Sequence, residues 1–233
     1  MSNPNVDIDE IKKFSKLAEK WWDPNGMMKS LHAINPLRLR FILDSVALSG
    51  KKALDIGCGC GILTESLAQA GAETSGIDLS VKAIHMAHHH AEMNHLFIDY
   101  RFMSAEDLAQ THANTFDVIT CMEVLEHIPD PASMIQACAR LLKPGGSVFF
   151  STINRTLRSY LCAIFLAENV LHLLPKGTHA YSKLIRPSEL TRWAQDAGLK
   201  KEKTAGIAYH LISKTFSLTK SAHINYIMEF RKA

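Results

Sequence analysis

Residues 51–63, KKALDIGCGCGIL, have the pattern of a buried strand that runs into a glycine turn and opens a helix. Glycine at positions Gly57, Gly59 and Gly61 allows the main chain to turn sharply and lets a ligand lie against bare backbone. The amide groups at the start of the following helix would face that ligand. The stretch therefore predicts a ligand-binding turn.

An acidic residue further along the chain narrows the class of ligand. Asp78 follows Gly57 by 21 residues, at the end of the next predicted strand, where a carboxylate can accept two hydrogen bonds from a ribose diol. A dinucleotide and S-adenosylmethionine both fit this arrangement. The dinucleotide fingerprint needs a third glycine where this chain has Ile62, and Asp55 would repel a pyrophosphate but suits an ammonium group. The pattern favours S-adenosylmethionine.

Strands and helices alternate around this turn. Such alternation predicts an α/β fold with a parallel, doubly wound sheet, in which right-handed crossovers bring the ligand-binding loops to one edge. The predicted strands are 52–57, 73–78, 97–103, 116–121 and 146–153, and the helices between them are 63–70, 81–94 and 131–142.

The two ends of the chain carry further elements. Apolar spacing predicts a helix over residues 7–22 and a second over 36–48, with Asn35 as N-cap and Pro36 at the first helical position. Near the C-terminus, GIAYHLI and HINYIMEF, separated by KTFSLTKS, suit a terminal antiparallel pair.

The length and composition of the chain limit the number of domains and the classes of partner. A chain of 233 residues that is 47% apolar predicts one domain, made of N-terminal helices (1–50), a donor-binding core (51–153), an insertion (154–187) and a C-terminal helix with strands (188–233). A net charge of +3 is too small to indicate nucleic acid. Five cysteines without paired spacing and a polar, acidic start predict a cytoplasmic protein.

The ordered motifs resemble a known family. LDIGCGCG, GID, FDVITCMEVLEH and LLKPGGSVFFST are similar to those of class I S-adenosylmethionine-dependent methyltransferases. FSKLAEKWWDPNG, LHAINPLRLRFI, STINRT and LPKGTHAYSKLIRPSEL resemble the ubiquinone biosynthesis O-methyltransferase family over nearly the whole chain. The resemblance implies a Rossmann-like, mostly parallel seven-stranded sheet. It also implies methylation of the catechol hydroxyls of 2-polyprenyl-6-hydroxyphenol and 3-demethylubiquinol.

The resemblance also implies donor-binding residues. Arg38 would lie near the methionine carboxylate, Gly57 and Gly59 would lie under the donor, and Asp78 would hold the ribose. Met122 would line the adenine or sulfonium region. Without the resemblance, Arg38 would be interpreted as a surface helix residue and Met122 as part of the core.

The acceptor needs activation, because a phenol with a pKa of about 10 is mostly protonated at neutral pH. Glu123, Glu126 and His127 are spaced i, i+3 and i+4, which predicts a shared helical face. In one hypothesis His127 takes the phenol proton, with Glu123 as a second catalytic residue. In the other, the three residues bind Mg²⁺, Mn²⁺ or Zn²⁺, and the metal chelates the catechol. A third interpretation is that His127 only packs or caps.

The insertion breaks the alternation of strands and helices. Its apolar run, residues 160–174, is too short to span a bilayer. Basic residues flank it: Arg155, Arg158, Lys176, Lys183 and Arg186. We expect a lid over the acceptor pocket that also contacts an anionic membrane surface, so that the cytoplasmic protein is peripherally associated with the membrane. An ordinary lid or buried helix is the alternative. A protein complex of ubiquinone biosynthesis is a further partner that the resemblance implies.

Three other functions stay open on the sequence alone. One is a methyltransferase for another small phenol or amine. A dinucleotide oxidoreductase is disfavoured by Ile62 in place of the third glycine, and a non-catalytic donor-binding module is disfavoured by the intact EVLEH turn.

Overall fold

A single β-sheet forms the centre of the molecule in the computed structural model, which describes residues 5–156, 159 and 181–233. The strands are β1 (Lys52–Ile56), β2 (Glu73–Asp78), β3 (Asp99–Phe102), β4 (Phe116–Met122), β5 (Leu142–Ile153), β6 (Leu199–His210), β7 (Thr215–Thr219) and β8 (Asn225–Lys232). The described helices are α1 (Ile8–Ser15), α2 (Lys29–Leu43), α3 (Ile62–Gln69), α4 (Val81–Met93), α5 (Ala105–Thr111), α6 (Pro131–Leu141) and α7 (Pro187–Asp196).

The strand order confirms the predicted doubly wound topology. It is β3-β2-β1-β4-β5-β8-β6-β7, and the first five strands in this order run parallel. β8 is antiparallel to both β5 and β6, so the predicted terminal antiparallel pair is confirmed. In the described chain the sheet has eight strands and not seven, because the segment between the pair contains β7, which adds an outer strand to β6.

Alternate residues of the central strands build two cores, one on each face of the sheet. On β4, Ile119 and Cys121 pack with α5 and α6, whereas Val118 and Met122 pack with α2 and α3. This is the period-two alternation of a strand that is buried on both faces. Met122 is therefore a core residue that also lies at the carboxyl end of β4, at the edge of the sheet where the sequence predicts the ligand-binding loops.

The second predicted helix was placed wrongly. α2 begins seven residues earlier than predicted, at Lys29, and Pro36 lies inside it. A proline inside a helix removes one hydrogen bond, a cost that packing of the apolar face against the sheet offsets here. Asn35 does not cap the helix: its Nδ2 donates to the Ile62 carbonyl (3.3 Å) and to Ser66 Oγ (2.8 Å), which ties α2 to α3.

The predicted insertion lies largely outside the described residues, which lack 157–158 and 160–180. The lid and membrane-contact predictions, with Arg158 and Lys176, fall on that segment. No helix in the described ranges is long and apolar enough to cross a membrane.

Candidate active site

A cavity of about 470 Å³ opens at the carboxyl ends of the parallel strands, where a doubly wound sheet binds its ligands. It brings together seven of the residues that the sequence predicted. They are Arg38, Gly57, Gly59, Asp78, Met122, Glu123 and His127. The remaining predicted residue, Glu126, does not line it.

The glycine turn follows β1 and needs glycine for two separate reasons. Gly57 and Gly59 have φ angles of 67° and 54°, in the left-handed region that side chains rarely adopt. A Cβ atom on Gly57 would collide with the Val124 side chain, and one on Gly59 would lie 2.9 Å from Trp21 Cζ2. The turn is therefore held tightly between α3, the end of β4 and the N-terminal segment.

Asp78 at the end of β2 fixes the glycine turn. Its Oδ2 accepts a hydrogen bond from the Gly59 amide (2.9 Å), and its Oδ1 accepts one from the Ser80 amide (2.7 Å). Burial raises the pKa of Asp78, although the two hydrogen bonds stabilise the ionised carboxylate and oppose this rise. Each carboxyl oxygen keeps acceptor capacity for a ligand hydroxyl, as the prediction of a ribose contact requires.

Asp55 lies beneath the turn and is only 3% exposed. Thr120 Oγ1 donates to its Oδ1 (2.6 Å) and Thr64 Oγ1 donates to its Oδ2 (2.7 Å). Burial raises the pKa of Asp55 to about 6, because an apolar environment penalises the ionised form. The residue also lines the cavity, so its charge at neutral pH faces any bound ligand.

Arg38 and Glu123 form an ion pair in the wall of the cavity. Arg38 is 6% exposed, and its Nη2 donates to Glu123 Oε1 (3.1 Å), which also accepts from Ser151 Oγ (2.7 Å). Within the described residues, the buried Nε of Arg38 has no hydrogen-bond partner. Glu123 has a φ of 55°, a strained backbone angle of the kind that clusters at functional sites.

The predicted helical face of Glu123, Glu126 and His127 does not form. The turn is a 3₁₀ helix over Leu125–His127, and Glu123 precedes it with a left-handed backbone. Glu126 is consequently turned inward and is 2% exposed, and burial raises the pKa of Glu126 well above its usual range. No group of three His, Cys, Asp or Glu side chains in the described part of the chain could hold a metal ion, so this geometry does not support the predicted metal.

His127 contacts the N-terminal helix instead. Its Nδ1 lies 2.9 Å from Glu10 Oε2, and its ring meets the Phe14 ring edge-on at 5.0 Å. Burial lowers the pKa of His127 to about 4, so the imidazole is neutral at pH 7. A neutral ring that faces a carboxylate through Nδ1 carries its proton there, which leaves Nε2 as the acceptor nitrogen.

Sequence reasoning missed several residues of the cavity. Glu10 and Phe14 are more than a hundred positions away from His127, and no local pattern connects them. Asn225, at the start of β8, lines the cavity because antiparallel pairing sets it beside Ile153 at the end of β5. Ser104 follows β3 and could have been found, because every parallel strand delivers its carboxyl end to the same edge.

Comparison with known proteins identifies relatives along the full chain. A family model described as a methyltransferase domain matches residues 27–204. The ubiquinone biosynthesis O-methyltransferase of Methylococcus capsulatus is 53% identical over 232 residues, covering 100% of this chain and 98% of its own. The protein of the same name from Thiobacillus denitrificans is 54% identical over 228 residues, covering 98% of each chain.

Solved structures share the fold at much lower identity. Magnesium protoporphyrin IX methyltransferase from Synechocystis, solved with bound S-adenosylhomocysteine, has a TM-score of 0.66 at 19% identity, covering 97% of this chain and 94% of its own. A possible histamine N-methyltransferase from Thermotoga maritima has a TM-score of 0.69 at 14% identity, covering 97% and 100%. The sheet with its glycine turn is thus the class I methyltransferase fold.

The raised pKa of Asp55 predicts a pH-dependent stability. The pKa rises from 3.8 to about 6 on folding, so the folded state binds the proton more tightly and stability is lost as pH rises through that window. The loss amounts to about 3 kcal/mol between pH 4 and pH 7. Denaturant unfolding at a series of pH values should show this fall for the wild type and a flatter profile for Asp55→Asn. The exposed Asp44→Asn is the control and should follow the wild type; parallel profiles for all three would contradict the assignment.

Proposed function

The chain belongs to the ubiquinone biosynthesis O-methyltransferase family, and we propose that it methylates the catechol hydroxyls of 2-polyprenyl-6-hydroxyphenol and 3-demethylubiquinol. It is an S-adenosylmethionine-dependent O-methyltransferase. The observation that carries the proposal is one cavity that is lined by the glycine turn, by Asp78 and by His127 together. Such a cavity can hold a nucleoside donor and a phenol acceptor together.

The donor side follows from the contacts described above. S-adenosylmethionine, when bound, supplies an electrophilic methyl group on a sulfonium. Asp78 would accept hydrogen bonds from the ribose diol, and Gly57 and Gly59 would bring bare backbone against the adenosyl group. The Nε of Arg38, which has no partner among the described residues, would donate to the methionine carboxylate. Met122 also lines the cavity and would contact the adenine or sulfonium region.

On the acceptor side, we assign His127 as the general base. With the donor bound, His127 Nε2 would take the phenol O–H proton as the oxygen attacks the methyl carbon, so that the C–O bond would form while the C–S bond breaks. A pKa of about 4 makes the imidazole a weak base in the resting site. The imidazolium that forms is stabilised by Glu10, whose carboxylate accepts the hydrogen bond from Nδ1–H, and by the nearby charge of Glu123.

A divalent metal at Glu123, Glu126 and His127 stays a prediction from the sequence. Two carboxylates and an imidazole are suitable donors, and both buried oxygens of Glu126 lack a hydrogen-bond partner among the described residues. Against it, Glu123 is held by Arg38, and His127 Nδ1 by Glu10. The proposed base mechanism runs without the metal.

The location of the substrate adds a proposal about the membrane. The polyprenyl tail is lipid-soluble, so we propose that the single methyltransferase domain associates peripherally with an anionic membrane surface through the insertion, and with other ubiquinone biosynthesis proteins. Two of the flanking basic residues are engaged within the protein: Arg155 pairs with Glu189, and Lys183 pairs with Asp7 (2.9 Å). Attraction to the anionic membrane surface therefore has to come mainly from the other flanking basic residues, Arg158, Lys176 and Arg186.

Asp78→Asn should weaken donor binding. The amide keeps one acceptor oxygen but loses the charge that strengthens the ribose hydrogen bonds, a loss of about tenfold in affinity or more. Calorimetry with S-adenosylhomocysteine measures it. Asp99→Asn, on the exposed outer strand β3 and away from the cavity, is the control and should bind as the wild type does. Equal affinities for all three proteins would overturn the assignment of Asp78.

His127→Ala should reduce methyl transfer to a short-chain catechol by about 10²- to 10⁴-fold, because the phenol loses its base. Affinity for S-adenosylhomocysteine should change little. His89→Ala, on an exposed position of α4, is the control. Turnover near the wild-type level in His127→Ala would contradict the role of His127.

Treatment of the wild type with EDTA separates the base hypothesis from the metal hypothesis. Unchanged turnover supports the base mechanism, and a loss of turnover that Mg²⁺ restores supports the metal.

Flotation with liposomes tests the membrane proposal. Vesicles that contain anionic lipid should carry the full-length protein to the top of a gradient, whereas neutral vesicles should leave most of it at the bottom. Added salt should release it, because screening weakens the attraction of basic residues to headgroups. Protein that stays at the bottom with anionic vesicles at low salt would refute the association and leave the methyltransferase assignment intact.

A further inference from the structure

One wall of the cavity is an apolar stripe on the hairpin of β6 and β7. Ile207 and Tyr209 are two residues apart on β6 and so point to the same face of the sheet, and Leu211 follows in the turn directly after β6. Phe216 on β7 pairs with Tyr209 in register, and their rings lie 4.9 Å apart. All four side chains line the same cavity as His127.

The stripe leads from the interior to solvent. Ile207 is 5% exposed, Tyr209 is half-buried, and Leu211 is 64% exposed. At about 3.3 Å per residue, Ile207 and Tyr209 cover about 7 Å of β6, and Leu211 continues the stripe into the turn. A row of apolar side chains that lines a cavity and ends at an exposed residue is typical of a surface that binds an apolar ligand.

A polar group marks the inner end of the stripe. Asn225 lies between Ile153 and Ile207 on three adjacent strands, and all three residues line the cavity. Its Oδ1 is buried and has no hydrogen-bond partner among the described residues. A buried acceptor without a partner is costly, so a ligand hydroxyl that donates to it would be bound favourably.

We propose that this hairpin is the subsite for the acceptor's hydrocarbon tail, with Asn225 accepting a hydrogen bond from the catechol hydroxyl that is not being methylated. The inference rests on the proposed function, because it assumes a catechol with a long branched tail. The head then lies between His127 and Asn225, and the first units of the tail lie along Ile207, Tyr209 and Phe216 toward Leu211. The length of the stripe limits this contact to the proximal part of the tail.

The test compares two catechol acceptors with the same head, one without a tail and one with a farnesyl chain. The ratio of kcat/KM for the tailed acceptor to that for the tailless one should fall about tenfold in Tyr209→Ser, because apolar contact with the tail is lost. A smaller fall is expected for Leu211→Ser, and Tyr209→Phe should keep the ratio. The control is Phe97→Ser, which changes an exposed apolar residue outside the cavity, near β3 at the opposite edge of the sheet.

An unchanged ratio in Tyr209→Ser and Leu211→Ser, with wild-type turnover of both acceptors, overturns the tail subsite and leaves the proposed function standing. A wild type that methylates neither acceptor overturns the proposed function. In that case, calorimetry with the tailed and tailless methyl ethers still tests the hairpin, and equal affinities reject it. Asn225→Ala should lower kcat/KM similarly for both acceptors; an effect confined to the tailed one would refute its contact with the head.

Discussion

The two hydrogen bonds that Asp78 accepts from main-chain amides hold the rest of the site in place. They join the end of β2 to the turn after β1 and to the start of α4, and so fix three neighbouring segments at one edge of the sheet. The glycine turn is also packed against Trp21 and Val124, whose side chains lie where Cβ atoms on Gly59 and Gly57 would be. The carboxylate that a ribose would meet is therefore rigid before any ligand arrives, which lowers the ordering cost of binding.

Burial shifts the pKa values of the ionisable groups at this edge of the sheet, upward for the carboxyl groups and downward for the histidine. It raises the pKa of Asp55 to about 6 and that of Glu126 far above its usual range, and it lowers the pKa of His127 to about 4. Each shift favours the neutral form of the group. Burial thus limits the charge of the site, and Arg38 and Glu123, 3.1 Å apart, form an ion pair whose opposite charges offset each other.

Local sequence patterns predicted the parallel strands and the glycine turn well, because each depends on contiguous residues with a clear period. They failed where tertiary contacts override local preference. Pro36 suggested a helix start, yet packing carries α2 through it. The i, i+3, i+4 spacing of EVLEH suggested an α-helical face, yet the left-handed backbone of Glu123 produces a 3₁₀ turn that buries Glu126. The partner of His127 lies 117 residues away, so no motif could reveal it.

The N-terminal segment is what makes the donor and acceptor sides a single cavity. Trp21 covers Gly59 on the donor side, and Glu10 and Phe14 of α1 hold His127 on the acceptor side. Lys183, near the C-terminal end of the insertion, pairs with Asp7 at the start of α1. Displacing α1 would therefore free His127 from its carboxylate, and displacing Trp21 would uncover Gly59. Since α1 has only eight residues and no fully buried side chain, its position depends on these contacts more than on its own helical stability.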